Sequence, residues 1–386
     1  MTTEMYTYRM RLYPNANQRV LLAKHFGAIR YVYNHFLANR KEKYLTEKKS
    51  SNYYGDCKVL TELKKTLPWM KEVYSQSLQF AIKQLDAAYN NFFAGRGHFP
   101  KFKAKHAHQS FRIPQNVKVG EDKLYIPKFL EGIKLVKHRE IEGKIKFATI
   151  SKNYAEQYHV SITVERDIPE LPKLDTEVGV DLGIKTLATC SDGKVYENVK
   201  PYRTLARRLK MMQRRLSKKK KGSKNRERAK RRLAKMHLRI RNIRTNHIHQ
   251  TTRKIINENQ VVILESLAVR NMMKNHCLAG AVADASFFEI TRQLEYKAKW
   301  YGREVVRLDR WFPSSKTCSG CGWINQNLKL ADRRWTCQGC GEDHDRDMNA
   351  AKMILQQGQI ERRVPLDRRE LKRVDSGRTP TELSVG

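Results

Sequence analysis

The sequence predicts a multidomain α/β protein, and three observations support this class. Residues 177–197 alternate apolar with small or polar side chains, as half-buried strands do, and Ser191-Asp192-Gly193 supplies a hairpin turn between two strands. Apolar residues recur every three to four positions over residues 22–36 and 78–92, which is the period of one helix face. Two Cys-x-x-Cys pairs predict a separate metal-bound module. A chain of 386 residues is long enough for two or three domains.

The chain carries a large excess of positive charge. Lys and Arg number 77 against 39 Asp and Glu, which gives a formal net charge of +38. Such an excess destabilises the compact state unless a polyanion neutralises it, so we expect nucleic acid as a partner. The charge is not confined to one amphipathic helix, and no apolar run approaches the ~20 residues of a membrane span. The first ten residues lack the apolar core of a signal peptide, so we expect a cytoplasmic, bacterial or archaeal nucleoid-associated protein with reduced thiols.

The N-terminal part of the chain combines strand and helix patterns. Residues 6–12 alternate as a strand, and short runs rich in β-branched and aromatic residues between residues 110 and 164 predict a small barrel or sandwich. We expect the opening strand to join that barrel, so that residues 14 to about 106 form a helical insertion. One face of the second strong helix carries Lys83 and Gln84, which suit contacts with DNA edges and phosphates; an ordinary solvated face is the alternative.

Residues 200–254 form the most basic stretch of the chain, and residues 207–244 contain a single acid, Glu227. Apolar residues keep helical spacing on both sides of Gly222, which predicts a helical hairpin with the tip KKKKGSK. A solvated coiled-coil face and a localisation signal are alternatives, but contact with phosphate backbones better explains so one-sided a charge. The predicted contacts are Arg207, Arg208, Arg214, Lys218, Lys219, Lys220, Lys221, Arg231 and Arg232.

Four cysteines have the spacing of a structural zinc site. Cys318 and Cys321 form one Cys-x-x-Cys pair, and Cys337 and Cys340 form the second after residues 322–336. In a reduced compartment this spacing predicts one zinc ion held by four thiolates, with incidental buried cysteines as the alternative. We expect this ion to stabilise the module rather than to take part in chemistry.

Three acids lie in strand or helix-start patterns and form the predicted catalytic site. Asp181 lies in the apolar strand that starts at residue 177, Glu265 ends the run VVILE, and Asp347 lies in HDRDMNAA before a helix. Oxygen ligands without His or Cys favour Mg²⁺ or Mn²⁺. Two such ions roughly 4 Å apart can activate a water and stabilise the leaving 3′ oxygen of a phosphodiester, with Asp181 bridging them. On spacing alone, Asp345 could replace Asp347.

Four motifs in this order resemble the TnpB family: VDLGIKTLA, ILESL, RWFPSSKTCSGCG and HDRDMNAA. TnpB proteins are RNA-guided nucleases encoded by insertion sequences and related to type V CRISPR effectors. The resemblance covers nearly the whole chain and implies an RNase H-like RuvC domain with Asp181, Glu265 and Asp347 as its catalytic acids. It also favours Asp347 over Asp345, because the family pattern is D-x-N-A-A. Residues 352–353 depart from the family pattern at a position that is not a metal ligand.

The resemblance also implies a domain organisation. Its parts are a wedge β-barrel (residues 1–13 and 107–172), a helical recognition lobe (14–106), a RuvC-like nuclease domain (173–312 and 344–357), a zinc-binding target-nucleic-acid-binding module, or zinc ribbon (313–343), and a disordered tail (358–386). The wedge and the recognition lobe would bind a short DNA motif beside the target, while guide RNA pairing selects the rest. Lys83, Gln84 and Arg112 are the candidate residues for contact with that motif.

The sequence therefore predicts an RNA-guided, Mg²⁺-dependent DNA endonuclease of a transposable element. It would cleave double-stranded DNA as a monomeric ribonucleoprotein with an omega RNA as its guide. We expect two catalytic Mg²⁺ ions, for which Mn²⁺ can substitute, and one structural Zn²⁺. We expect no association with a membrane. One alternative is a transposase that joins DNA ends with the same acidic fold. Another is an RNA-guided DNA-binding repressor that does not cut. Loss of an acid would favour the repressor, and all three acids are present.

Overall fold

The computed structural model describes residues 2–49, 51–106, 108–329 and 331–363. The chain divides into two compact units. The first contains residues 2–168 together with Lys219–Lys235, and the second contains Pro169–Lys218 together with residues 236–363. Each unit has its own hydrophobic core.

A seven-stranded antiparallel sheet forms the base of the first unit. Its strands are β1 (Thr2–Tyr13), β2 (Gln109–Ile113), β3 (Lys118–Val119), β4 (Lys123–Ile126), β5 (Phe129–Val136), β6 (Lys144–Lys152) and β7 (Tyr158–Ile168). They lie in the order β2-β6-β7-β1-β5-β4-β3. Because β1 pairs with β5 and β7, the prediction that the opening strand joins the later strands is confirmed. The described residues include no ladder between β2 and β3, so closure into a barrel stays a prediction.

The helices of the first unit pack against this sheet. They are α1 (Ala16–Glu47), α2 (Tyr53–Thr66), a 3₁₀ helix (Pro68–Glu72) and α3 (Ser75–Phe93). Buried side chains of the sheet, such as Leu12 and Ile133, belong to the same continuous core as Phe36 of α1 and Leu85 of α3. The predicted wedge and recognition lobe therefore share one core, and the predicted boundary at residue 107 does not separate two cores.

Helix α2 has an apolar stripe, because apolar side chains recur every three to four positions over residues 53–63 and pack against the core of the unit. Its buried residues are Asp56 and Leu60. Asp56 is held by Arg40 of α1, whose Nε donates to Asp56 Oδ2 at 2.7 Å, and Arg40 also bonds to Asp86 of α3 at 3.2 Å. An ion-pair network between helices therefore adds to the apolar contacts that attach α2 to the unit.

The second unit contains a five-stranded mixed sheet. Its strands are β8 (Glu177–Asp181), β9 (Thr186–Cys190), β10 (Val195–Glu197), β11 (Val261–Leu264) and β12 (Glu304–Arg307). The order is β10-β9-β8-β11-β12, with β8, β11 and β12 parallel and β9 antiparallel to both of its neighbours. The predicted α/β class is thus confirmed. The predicted hairpin at residues 191–193 joins β9 to β10, whereas the sequence pattern does not separate β9 from β8.

Helices surround this sheet and continue the chain. They are α4 (Pro201–Ser217), α5 (Lys224–Glu258, which begins in the first unit), α6 (Val269–Met272), α7 (His276–Ala285), α8 (Phe287–Tyr301) and α9 (Arg346–Arg363). Helices α4 and α5 flank the basic tip, as the sequence predicts. Helix α8 begins at Phe287, because Ser286 has a left-handed backbone with φ of 55° that ends α7.

The cysteine module contains a two-stranded ladder of β13 (Arg334–Thr336) and β14 (Asp343–Asp345). Trp335, Cys318 and Cys337 form its small buried core. The strand β14 leads directly into α9, so the module and the last helix are continuous.

The predicted end of the nuclease domain at residue 357 is wrong by at least six residues, since α9 runs to Arg363. Gly358 is buried on β11, where an added Cβ would lie 2.5 Å from Ile263 Cγ2. Gln359 Nε2 donates to Glu177 Oε2 at 2.9 Å, and Arg362 pairs with Glu177. These contacts hold residues 358–363 on the sheet. The rest of the predicted disordered tail lies outside the described residues.

Candidate active site

The ends of two parallel strands place Asp181 and Glu265 side by side. Val180 of β8 pairs with Leu264 of β11, so the next residue of each strand lies at the same edge of the sheet. Both acidic side chains are half-buried and share a hydrogen bond. The parallel register therefore accounts for the first two acids of the predicted trio.

Close packing of α9 on β8 brings Asp347 to the same place. An added Cβ at Gly179 would clash with the backbone oxygen of Ala351 and lie 2.5 Å from the backbone nitrogen of Leu355. Asp181 lies two residues after Gly179 and thus on the same face of the strand. Asp347 lies about one helical turn before Ala351. The contact between helix and strand therefore places Asp347 over the end of β8, where its charge acts on Asp181.

Burial and the neighbouring acids oppose the ionisation of Asp181. Burial raises the pKa of Asp181, and the negative charges of Glu265 and Asp347 raise it further. Burial also raises the pKa of Glu265. Clustered carboxylates without a compensating charge are costly, and a divalent cation supplies that charge. The all-oxygen donor set fits Mg²⁺ or Mn²⁺.

Asp345 has a different role from Asp347. Its Oδ1 accepts hydrogen bonds from the backbone N–H groups of Asp347 and Met348, both at 3.1 Å, and so caps the first turn of α9. Asp345 is exposed, whereas Asp347 is half-buried. The local geometry thus separates the two acids that spacing left open.

Two arginines beside the acids were missed by sequence reasoning. Arg333 Nη1 lies 3.3 Å from Asp347 Oδ1, and the positive charge of Arg346 lowers the pKa of Asp181. The chain has 77 Lys and Arg residues, so these two arginines do not stand out from the sequence. The one local signal is the position of Arg346 between Asp345 and Asp347.

The four predicted zinc ligands converge on one point. The Sγ atoms of Cys318, Cys321, Cys337 and Cys340 all lie within 4.8 Å of one another. Backbone N–H groups of Gly320 and Gly339 donate to the sulfurs of Cys318 and Cys337 at 3.3 Å. Four thiolates in this arrangement, each pair supported by a backbone donor, fit a tetrahedral structural zinc ion.

His344 is a further residue that sequence reasoning did not single out. It is buried, and its Nε2 lies 3.0 Å from Cys318 Sγ. Its ring also lies 4.7 Å from that of Trp335. The contact places a ring nitrogen beside a predicted zinc ligand, and Cys318, Glu342 and His344 form a second group of possible metal ligands.

Some of the predicted nucleic-acid contacts in the first unit are exposed, and others already bond to or pack against neighbouring side chains. Lys83 and Gln84 are exposed on α3, but Gln84 Oε1 already accepts from Lys103 Nζ at 3.2 Å. The guanidinium of Arg112 lies between the rings of Phe80 and Phe147, 4.4 and 3.7 Å from their centroids. The remaining predicted residues of this unit, Lys219, Lys220, Lys221, Arg231 and Arg232, are exposed, and Arg231 pairs with Glu156 at 2.9 Å.

The predicted contacts on α4 and at its C-cap, Lys218, line a concave basic surface of the second unit. Arg207, Arg208, Arg214 and Lys218 are exposed around a cavity of about 600 Å³. The buried carboxylate of Asp284 on α7 accepts from the backbone N–H groups of Tyr202 and Arg203 and so caps α4 from another helix. In the described ranges, no helix is long and apolar enough to span a bilayer.

Comparisons with known proteins place the chain in a family. Residues 159–276 match the IS605 OrfB model described as "Probable transposase", residues 287–354 match the Cas12f1-like TNB domain, and residues 5–49 match the OrfB helix-turn-helix domain. A Streptomyces pristinaespiralis protein named "Putative RNA-guided DNA endonuclease" is 39% identical over 91% of this chain and 89% of its own length. The chain belongs to the TnpB family. The Escherichia coli relative named "Putative RNA-guided DNA endonuclease InsQ" is 31% identical over 91% of this TnpB chain and 92% of its own.

A solved structure extends the likeness to the fold. The chain matches a protein in the "Cas12f1-sgRNA-target DNA complex" with a TM-score of 0.56 and 14% identity, covering 91% of this TnpB chain and 98% of the other. The segment matched as helix-turn-helix consists here of β1 and the single long helix α1. The TNB match begins at residue 287 and therefore includes α8 and β12 as well as the predicted module of residues 313–343.

Proposed function

We propose that this TnpB-family protein is an RNA-guided, Mg²⁺-dependent endonuclease that cuts double-stranded DNA beside a short target-adjacent motif. The observation that carries the proposal is the convergence of Asp181, Glu265 and Asp347 at one edge of the β8–β11 sheet. The names of the relatives support the RNA guide and the DNA substrate. On this proposal, residues 173–312 and 344–357, extended to Arg363, form an RNase H-like RuvC domain.

The acids and arginines of the proposed catalytic site have different roles. Asp181 shares a hydrogen bond with Glu265 and is acted on by the charge of Asp347, so the three acids together would hold the catalytic cations. Two Mg²⁺ ions, or Mn²⁺ in their place, would supply an activated water and stabilise the leaving 3′ oxygen. Arg333 and Arg346 bring positive charge beside the acids, which favours approach of a phosphodiester.

The remaining parts of the chain bind and align the nucleic acids. Zinc held by Cys318, Cys321, Cys337 and Cys340 stabilises the module that precedes α9. The exposed cations of α4 and of the 218–221 tip contact phosphates of the guide RNA and DNA. Lys83, Gln84 and Arg112 contact the target-adjacent motif, while RNA pairing selects the target.

The test begins with the RNA. The protein is purified from cells that carry its native flanking DNA, and the bound RNA is sequenced and reprogrammed to a new target. Cleavage is then assayed with Mg²⁺ on targets that carry a randomised flank, beside Asp181→Ala and the cap variant Asp345→Ala as a matched acid control. We expect guide-dependent cuts that Asp181→Ala abolishes and Asp345→Ala only weakens.

Other outcomes select the alternatives. A defined bound RNA without cleavage under any divalent cation would support the RNA-guided repressor. Strand joining without a specific RNA would support the transposase that the name of the IS605 OrfB model suggests. Equal cleavage by wild type and Asp181→Ala would remove the acidic trio from the mechanism.

A further inference from the structure

A buried asparagine on α9 hydrogen-bonds to the backbone of the first cysteine pair. Asn349 is 1% exposed and lies two residues after Asp347. Its Nδ2 donates to the backbone oxygen of Thr317 at 2.7 Å, and its Oδ1 accepts from the backbone N–H of Ser319 at 2.9 Å. One side chain thus bonds to the residues on both sides of Cys318.

Asn349 and Asp347 point away from each other. With 3.6 residues per turn, two positions along a helix correspond to roughly 200° of rotation. The start of α9 is therefore held from two sides, by the packing at Gly179 near the acids and by the Asn349 contacts near Cys318. Together these contacts restrict rotation and tilt of the turn that carries Asp347.

A second path connects the same cysteine to the helix start. Cys318 Sγ contacts His344 Nε2, and His344 immediately precedes Asp345, which caps the first turn of α9. The cysteine pair therefore touches α9 through its cap and through Asn349. A third contact, from Gln356 Nε2 to the backbone oxygen of Ser319 at 2.9 Å, lies about two turns further along α9 and is exposed.

We propose that Asn349 is a positioning residue through which the Cys318 pair fixes Asp347 in the acidic trio. Asn349 touches no reacting atom; it acts by restricting the first turn of α9. The inference rests on the proposed function, because it gives Asp347 a role in binding the catalytic cations. In the sequence Asp-x-Asn, the proposed cation ligand Asp347 is thus followed two residues later by Asn349, which positions it.

The test measures cation affinity directly and does not depend on cleavage. Mn²⁺ binding to the full-length protein is followed by electron paramagnetic resonance for wild type, Asn349→Ala, Asn349→Asp, Gln356→Ala and Asp181→Ala. Zinc content and the thermal unfolding midpoint are measured on the same samples. Gln356→Ala is the matched control, because it removes a bond from α9 to the same cysteine pair at a distance from Asp347.

We expect Asn349→Ala to weaken Mn²⁺ binding by about tenfold, the lower end of the range for residues that orient metal ligands. Asn349→Asp keeps an acceptor for Ser319 but places a buried carboxylate oxygen against the backbone oxygen of Thr317, so its loss is expected to be at least as large. Gln356→Ala should stay within about twofold of wild type, and all of these variants should retain one zinc per chain. In cleavage assays, Asn349→Ala should require about tenfold more Mg²⁺ for half-maximal rate and recover near wild-type rate at saturation.

Three results would overturn the inference. Wild-type Mn²⁺ affinity in Asn349→Ala excludes a positioning role. Equal losses in Asn349→Ala and Gln356→Ala, or a loss that follows lowered zinc content or unfolding midpoint, would show that Asn349 only stabilises the module. If wild type binds Mn²⁺ no better than Asp181→Ala, the acidic trio is not a cation site, and the proposed function fails together with the inference.

Discussion

A buried neutral histidine is a sensitive residue of the first unit. His25 of α1 is fully buried between the rings of Phe111 and Phe129. Its Nε2 accepts from the backbone N–H of Tyr74 at 3.3 Å, so its Nδ1 carries the proton and donates to the backbone oxygen of Leu21 at 2.8 Å. A protonated ring would lose the acceptor and place a charge in the core.

This histidine predicts how stability depends on pH. Burial, and to a lesser degree the nearby Lys128 charge, lowers the pKa of His25 below its ordinary 6.5, while the bond to Leu21 opposes this. Below about pH 6.5 the unfolded state therefore binds a proton that the folded state does not, and stability falls as pH falls, by up to about 1.4 kcal/mol per pH unit. Urea unfolding of wild type and His25→Gln between pH 8 and 5.5 measures this. The His25→Gln variant should be less stable than wild type at pH 8 and should lose less of its free energy of unfolding on acidification. Parallel pH dependences of the two proteins would contradict a lowered pKa of His25.

Residue types with a fixed chemistry were predictable from the sequence. The cysteines at residues 318–340 are recognisable by their spacing, and Asp181 and Glu265 stand out because acids rarely end apolar strands. Arg333, His344 and Asn349 could not be found in this way, because their roles depend on partners that only the folded chain brings near.

The contact between α9 and β8 is the element-scale feature on which the acidic trio depends. Gly179 permits it, since any side chain there would meet the backbone of α9 at Ala351 and Leu355. Backbone atoms cannot move aside as a flexible side chain does. The helix would have to shift, and Asp347 would shift with it.

We therefore expect Gly179→Ala to lower the free energy of unfolding by about 1–3 kcal/mol, as overpacking does, and to reduce cleavage at least tenfold. Gly280→Ala is the control, because an added Cβ on that helical residue meets nothing within 4 Å. It should leave cleavage unchanged and stabilise slightly, by about 0.4–1 kcal/mol. Unfolding curves and cleavage rates for the pair measure this. Wild-type cleavage in Gly179→Ala would mean that the trio tolerates displacement of the helix.

Periodicity predicts the elements whose burial is apolar and misses the contacts between polar groups. Helix α3 shows a clear stripe ending in the core at Leu85, whereas the ion pair of Asp56 with Arg40, which adds to the apolar contacts of α2, has no periodic signal. The last turns of α9 contact the sheet through Gly358, Gln359 and Arg362, which carry no hydrophobic period, so the sequence pattern predicts a tail there.

At the scale of the whole molecule, the net charge of +38 is the dominant property. The sequence predicts nucleic acid as the partner class and locates the most basic stretch, but it does not predict which compact unit carries each part of that stretch. The basic tip after Lys218 belongs to the first unit and α4 to the second, so both units carry exposed cations. Likewise, sequence predicted two N-terminal domains, and the shared core of sheet and helices makes them one unit.

The basic tip KKKKGSK predicts how the affinity for nucleic acid depends on salt concentration. Replacing Lys219, Lys220 and Lys221 together with Gln should weaken binding to any nucleic acid sequence. It should also reduce the slope of log affinity against log salt by about 0.9 for each phosphate of duplex DNA that the variant no longer neutralises. A charge-matched control replaces the exposed sheet lysines Lys118, Lys123 and Lys134 with Gln. Filter binding over a range of KCl concentrations compares the two triple variants; equal slopes would exclude a phosphate role specific to the tip.

The order of the proposed catalytic acids along the chain has a consequence during synthesis. The ribosome produces β8, β11 and the basic helices before the cysteine module, and α9 follows last among the described elements. On the proposed function, the exposed cations are therefore synthesised before the acidic trio is complete, since Asp347 arrives with α9. A product that stops inside the cysteine module would keep the exposed cations of α4 and α5 without a complete acidic trio.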